Sequence, residues 1–375
     1  MTDLKITTID VFQVNLPYSG GAYHLSGGRV LTRFDATIVR IKTDKGIEGW
    51  GESTPFDNYI ASHALGVRAA IAEIAPKLIS LDPRRVDRIN DAMDRALLGN
   101  EPAKSAIDIA CWDIFGKSTG LPVCDLLGGR TNTELPVICS IPVTDPERTR
   151  KHVSKDRAAG FTGFSVKIST DPVVNAACIQ AALADKKPNE FFLIDANGGM
   201  TVEAALRMLK LLPPDLDFVL EAPCATYREN ISLRRRTNVP IIFDELASNE
   251  STIAHFIADD AVDGIGLKIS KAGGLTRSRR VRDICLAAGY TMSVQDTTGS
   301  DIVFAAIVHL GQTVSEKYLR CILESRSMCD GKLADGAFDV RNGVLTAPTA
   351  PGLGITPRLD ALGTPVATYS YCDFI

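Results

Sequence analysis

From about residue 134 onward the chain alternates β-branched runs with helical stretches, and that alternation constrains the fold more than any other feature. The strand candidates are 134–143, 163–169, 191–195, 218–222, 240–244, 264–269, 290–296 and 319–324. Pro146 opens one intervening helix and Gly160 closes it; Gly289 closes another. Strand–helix alternation implies a parallel sheet buried on both faces. Eight such units in roughly 200 residues point to a (β/α)8 barrel, an α/β fold of the TIM type. An open doubly wound sheet is the alternative, but no Gly-rich dinucleotide fingerprint follows an early strand.

The first part of the chain reads differently. Residues 5–17 and 34–53 are rich in β-branched side chains, and the tetrad Thr43 to Gly46 lies between two strand-like runs as a hairpin turn. Helical patterns follow over 61–79, 83–97 and 103–119. This predicts an α+β domain over 1–125 ahead of a barrel over 126–350. The loops 18–30 and 54–62 carry Gly, Ser, Pro and aromatic residues, a composition suited to covering a ligand.

Composition excludes several function classes. The 41 basic and 45 acidic residues leave a net charge of −4, without the basic face that nucleic-acid or membrane-surface binding needs. No apolar run approaches the ~18–20 residues that span a bilayer. The N-terminus, MTDLKITTIDVF, lacks a basic segment followed by an apolar core, so a cytoplasmic protein without a signal peptide is expected. Nine cysteines without a CxxC pair read as reduced, mostly buried thiols. The five histidines form no ligand-spaced pair, which argues against zinc.

The chemistry sits at the strand ends. The last polar residues of seven successive strand candidates are Lys167, Asp195, Glu221, Asp244, Lys268, Asp296 and Glu324, spaced by about one βα unit each. One polar residue at a strand end is ordinary; seven ionisable ones in register are not. In a barrel these ends surround one mouth, where the active sites of this fold lie. Asp195, Glu221 and Asp244 come from adjacent strands and would repel one another unless a cation joined them. Oxygen-only ligands favour Mg²⁺, with Mn²⁺ as the alternative. Lys167 and Lys268 flank the carboxylates, and repulsion from the cation and from each other should depress their pKa values toward those of useful bases. Three carboxylates, Mg²⁺ and two ammonium groups sum to about +1, which suits a carboxylate substrate whose α-proton leaves to give an enediolate.

These segments resemble the enolase superfamily, and within it the muconate-lactonizing branch of the mandelate racemase-like proteins. The resemblance runs through GIEGWGES (46–53), AKSAIDIACWDIFGK (103–117), LPVCDLLGG (121–129), SVK (165–167), DAN (195–197), LEAP (220–223), FDE (243–245), GLKISKAGGL (266–275) and PGLGI (351–355). It implies Asp195, Glu221 and Asp244 as Mg²⁺ ligands and Lys167 and Lys268 as acid/base catalysts on opposite faces of the substrate. It also implies Asn197 and Glu245 as residues that orient those groups, and a homo-oligomer. The N-terminal domain would cap the mouth, and segment 351–375 would return to it. Many members carry Lys-x-Lys on the second barrel strand; here Ser165 replaces the first lysine. The His/Asp dyad of the mandelate-racemase subgroup is missing, since Asp296 stands at the seventh strand end.

YHLSGGR (23–29), the Ser-x-Lys motif and SHALG (62–66) are similar to members acting on proline derivatives, the cis-3-hydroxy-L-proline dehydratases and hydroxyproline-betaine epimerases. Ser165, Asp296, Glu324, Tyr59 and His24 are the substrate-binding candidates. Asp296 and Glu324 could pair with a secondary ammonium, which favours the dehydratase. Tyr59 and Phe56 could form part of a cage for a quaternary ammonium, which keeps the epimerase as the second expectation. A non-catalytic carboxylate-binding barrel is the third.

Overall fold

The computed structural model describes residues 3–25, 28–56, 62–336 and 340–371. The barrel expected from the alternation is there. Strands Leu135–Ile141, Gly163–Lys167, Phe191–Asp195, Val219–Glu221, Ile241–Phe243, Gly264–Lys268, Thr291–Gln295 and Leu319–Leu323 pair in parallel in chain order. The eighth pairs with the first, through Ile322 opposite Val137, and closes the ring. Side-chain alternation divides the apolar residues. Ile138, Leu193, Val219, Ile242 and Cys321 form a small cluster of their own, separate from the main core.

The helices between the strands start where their first residues can satisfy orphan N–H groups. Asp145 accepts from Arg148 N ahead of Pro146, Thr201 accepts from Ala204 N, and Thr226 with Glu229 forms a capping box. Gly289 ends the helix Leu275–Ala288 at φ +79.

The N-terminal part is a four-stranded antiparallel sheet in the order Ala367–Ser370, Ile6–Pro17, Arg33–Thr43, Glu48–Ser53. Its last three strands in that order are hairpin neighbours, and Gly46 (φ +73) closes the Thr43–Gly46 turn with a bond from Gly46 N to Thr43 O. The first comes from the end of the chain, which runs back from the barrel to pair with Ile6–Pro17.

The helix Glu101–Thr119 explains why two of the quoted motifs occur together. Every residue from 102 to 114 is buried, so neighbours press on it from all sides. Strand Glu48–Ser53 lies against it. A Cβ at Gly49 would sit 2.1 Å from Ala110 O, and one at Gly51 would sit 2.0 Å from Ala106 O. Only glycine allows that approach. Two buried carboxylates then fasten this domain to the barrel. Asp108 accepts from Thr276 N at 2.9 Å. Glu52 accepts from Ser300 N at 2.9 Å and Val303 N at 3.1 Å, at the start of helix Asp301–Gly311.

Among the described residues, no helix is long and apolar enough to cross a membrane.

Candidate active site

The C-terminal ends of the strands bring the ionisable residues to one mouth. Asp195, Glu221, Asp244 and Lys268 are buried, and Lys167 is largely so. Lys167 Nζ donates to Asp195 Oδ2. Lys268 Nζ donates to Asp244 Oδ2 at 2.5 Å, and Lys271 Nζ reaches Asp244 Oδ1 at 2.8 Å. Asn197 holds Asp195 by both oxygens, from its main-chain N at 2.8 Å and from Nδ2 at 2.9 Å, and the same Nδ2 lies 3.2 Å from Glu245 Oε1. Glu221 receives Gln295 Nε2 at 3.5 Å.

Electrostatics separate these groups. Burial, then the charges of Asp195 and Asp244, push the Glu221 carboxyl far above its ordinary range. Burial also raises Asp244, but Lys268 and Lys271 outweigh it and hold that carboxyl low. Glu245 is pushed up to about 7 by burial, Asp244 and Asp195. Burial favours the neutral forms of the two lysines, yet the carboxylates beside them win: Asp195 foremost raises Lys167, and Asp244 foremost raises Lys268. Among the protein's own groups, pairing with a carboxylate favours the protonated form of both amines; a cation taking up those carboxylates would act in the opposite sense.

The donor set suits a hard divalent cation, although no three His, Cys, Asp or Glu side chains among the described residues are gathered around one point as they stand. Three carboxylates end neighbouring strands, and they raise one another's affinity for positive charge. Glycine lies beneath them. A Cβ at Gly266 would come within 3.1 Å of Glu221 Oε1 and 2.3 Å of Gln295 Nε2, so the space between these side chains depends on its absence. Glu245 Oε2 is buried without a hydrogen-bond partner among the described residues.

Beside this cluster lies a small, partly enclosed cavity. Lys167, Lys268, Ser165, Asn197, Asp296, Ser140 and Gln295 contribute polar groups to it, while Ile138, Leu193, Cys321, Leu323 and Met328 contribute apolar ones. Tyr23 and Phe56 enter from the N-terminal domain. Their rings are 6.4 Å apart, and Phe56 stacks on Phe34 at 4.8 Å.

The remaining substrate-binding candidates are placed differently from one another. Glu324 is outside the cavity lining; its carboxylate is held by Arg326, from Nε at 2.8 Å and Nη2 at 2.7 Å. Asp296 reaches the cavity wall, but its oxygens accept from Ser270 N at 2.9 Å, Thr297 N at 2.7 Å and Ser270 Oγ. Its carboxylate caps the Ser270 turn, and burial foremost raises its pKa. His24 is exposed, because in the short strand Tyr23–Leu25 it is Tyr23 that faces inward. Tyr59 lies outside the described residues. Sequence reasoning missed Tyr23, Ser140, Gln295 and Lys271. Period-2 alternation would have marked Gln295 as the inward neighbour of Asp296. Lys271 follows Lys268 by one helical turn.

Models of two families match the chain: the mandelate racemase/muconate lactonizing enzyme N-terminal domain over residues 8–128 and the enolase C-terminal domain-like family over 148–361. The chain belongs to the mandelate racemase/muconate lactonizing enzyme family. As a member of that family it is an enzyme of the enolase superfamily, whose relatives include dehydratases, racemases, epimerases and cycloisomerases. The mandelate racemase/muconate lactonizing chain is 42% identical to a cis-3-hydroxy-L-proline dehydratase of Roseibium aggregatum, over 98% of this chain and all of the relative. A crystal structure of a family protein from Aspergillus oryzae is 69% identical, with TM-score 0.94, covering 98% of this chain and 100% of that one. A Roseovarius nubinhibens protein of the family, solved in complex with magnesium, is 51% identical, with TM-score 0.96 and the same coverage.

Proposed function

We propose that this enzyme removes the α-proton of a small cyclic amino acid and dehydrates it, with cis-3-hydroxy-L-proline as substrate. The observation that carries the reading is the pair Lys167 and Lys268 on one cavity, with three carboxylates between their strands. The 42% identity to a cis-3-hydroxy-L-proline dehydratase over nearly the whole chain supports the substrate.

Asp195, Glu221 and Asp244 would hold Mg²⁺. When bound, that cation would fix the substrate carboxylate and stabilise the negative charge that develops there. Asn197 keeps Asp195 oriented, and Lys271 with Lys268 does so for Asp244. One lysine Nζ, in its neutral form, would accept the α-proton. The C3–O bond breaks, and the departing hydroxide takes a proton from an acid in the cavity to leave as water. The product enamine then tautomerises to a cyclic imino acid. Tyr23, Phe56 and the apolar side chains limit access of water.

A second reading is epimerisation of a proline betaine, in which the opposite lysine returns the proton. One observation favours it: Tyr23 and Phe56 present aromatic surface to the cavity, while Glu324 is tied to Arg326. Both readings are tested with cis-3-hydroxy-L-proline and an N,N-dimethyl proline, following α-proton exchange in deuterated water and loss of the hydroxyl, with and without chelator. The dehydratase reading expects the higher kcat/KM with cis-3-hydroxy-L-proline, no turnover in excess chelator, and recovery on adding Mg²⁺. A higher kcat/KM for the betaine would transfer the assignment to the epimerase, and full activity in chelator would remove the cation from the mechanism.

A further inference from the structure

We infer that Arg29 is a positioning residue that ties its strand of the N-terminal domain to the geometry of the carboxylate cluster, and thereby to its affinity for a divalent cation. The inference rests on the reading of Asp195, Glu221 and Asp244 as cation ligands.

Arg29 begins the strand Arg29–Leu31, which pairs antiparallel with Tyr23–Leu25. Its Nη2 donates to the main-chain oxygen of Asn197 at 3.1 Å, across 168 residues of sequence. Asn197 is in the left-handed region at φ +46. Asparagine takes that conformation more readily than other residues with a Cβ, because its short amide bonds locally, here to Asp195. The main-chain N and Nδ2 of this residue are the donors that hold both oxygens of Asp195, and Nδ2 also reaches Glu245. Movement of the Asn197 peptide would therefore move the donors that aim Asp195.

The hairpin grips the barrel at two points. Tyr23 Oη meets Ser140 Oγ at 2.9 Å inside the substrate cavity, and Arg29 meets Asn197. Asn197 lines that cavity and also a second one, whose wall includes Arg29, Asp244 and Glu245. Tyr23, which lines the cavity, and Arg29, which meets Asn197, thus share one two-stranded element.

Charge alone gives the opposite sign. A guanidinium in the neighbourhood of Asp244 and Glu245 repels a cation, so its removal would tighten binding. A brace on the outer partners of the ligating carboxylates predicts weaker binding on removal.

Mn²⁺ is the probe, titrated into wild type and Arg29→Met while free Mn²⁺ is followed by its electron paramagnetic resonance signal. Methionine removes the donors and keeps much of the side-chain bulk. The dissociation constant should rise about tenfold, the low end for loss of such a partner, in a variant with native circular dichroism. Unchanged or tighter binding in the folded variant overturns the inference. If Arg29→Met does not fold, Arg29→Lys carries the test: the charge stays, the planar fork is lost, and Mn²⁺ binding should weaken several-fold, with no weakening overturning the inference. A wild-type protein that binds no Mn²⁺ would overturn the cation-site reading itself, and the inference with it.

Discussion

The hydroxyl of Tyr23 lies 2.9 Å from that of Ser140, so a side chain from the N-terminal hairpin completes its hydrogen bonding on the first barrel strand. Both residues line the cavity. The cavity is therefore built from two parts of the chain that are 117 residues apart. Tyr23→Phe removes this bond and leaves the ring. A neutral hydrogen bond contributes about 0.5–1.5 kcal/mol, so kcat/KM should fall roughly 2- to 10-fold. Ser140→Ala should cost a similar factor, and the double variant little more than either alone, because one interaction is being removed twice. Fully multiplicative losses in steady-state kinetics would show that the two hydroxyls act separately.

Lys167 and Lys268 are expected to be non-equivalent. Lys167→Ala and Lys268→Ala should each lower turnover by at least ~10²-fold, the low end for a positioned general base or acid. Exchange of the α-proton in deuterated water, read by proton NMR, should survive in one variant far better than in the other, since only one amine needs to face the departing proton. Near wild-type turnover in both variants would remove the lysines from the mechanism.

The contact between Gly51 and Ala106 O bears on folding rather than catalysis. A methyl group at residue 51 would stand 2.0 Å from a main-chain oxygen, which cannot rotate away as a side chain could. Gly51→Ala should cost at least about 1–3 kcal/mol, the usual range for overpacking. Urea denaturation would register it as a lower midpoint. An unchanged midpoint would mean that the strand can move off the helix without penalty.

His309 should make stability depend on pH. The ring is fully buried; its Nδ1 accepts from Cys124 N at 3.2 Å, so its proton sits on Nε2, 3.1 Å from Leu353 O. Burial foremost lowers its pKa to about 4. The unfolded chain, with an ordinary value of about 6.5, binds more protons between those limits. Its contribution is therefore complete above about pH 6.5 and is lost as pH falls toward 4, amounting to about 3 kcal/mol. Chemical denaturation of wild type and His309→Gln at pH 7 and pH 4.5 should show a smaller pH-dependent loss in the variant. Equal losses would show that the ring does not titrate differently in the two states.

The chain's own pattern determined the barrel and the positions of its charged strand ends. Strand phase is local information: β-branched runs, helix caps and a repeat of one βα unit suffice to say that Lys167, Asp195, Glu221, Asp244 and Lys268 belong to one mouth. The glycines of GIEGWGES were visible as a motif, but their reason, contact with the Ala106 and Ala110 carbonyls, exists only when strand meets helix. The tertiary structure also decided which charges are already satisfied. Glu324 pairs with Arg326 and Asp296 with Ser270, partners that strand-end position does not reveal. It decided that Tyr23 and not His24 enters the cavity, because a three-residue strand is too short for its alternation to be read from sequence. It joined Arg29 to Asn197 across 168 residues, a pairing with no local signature. Periodicity reports which way a side chain faces relative to its own backbone; which partner it meets depends on how distant segments close on one another.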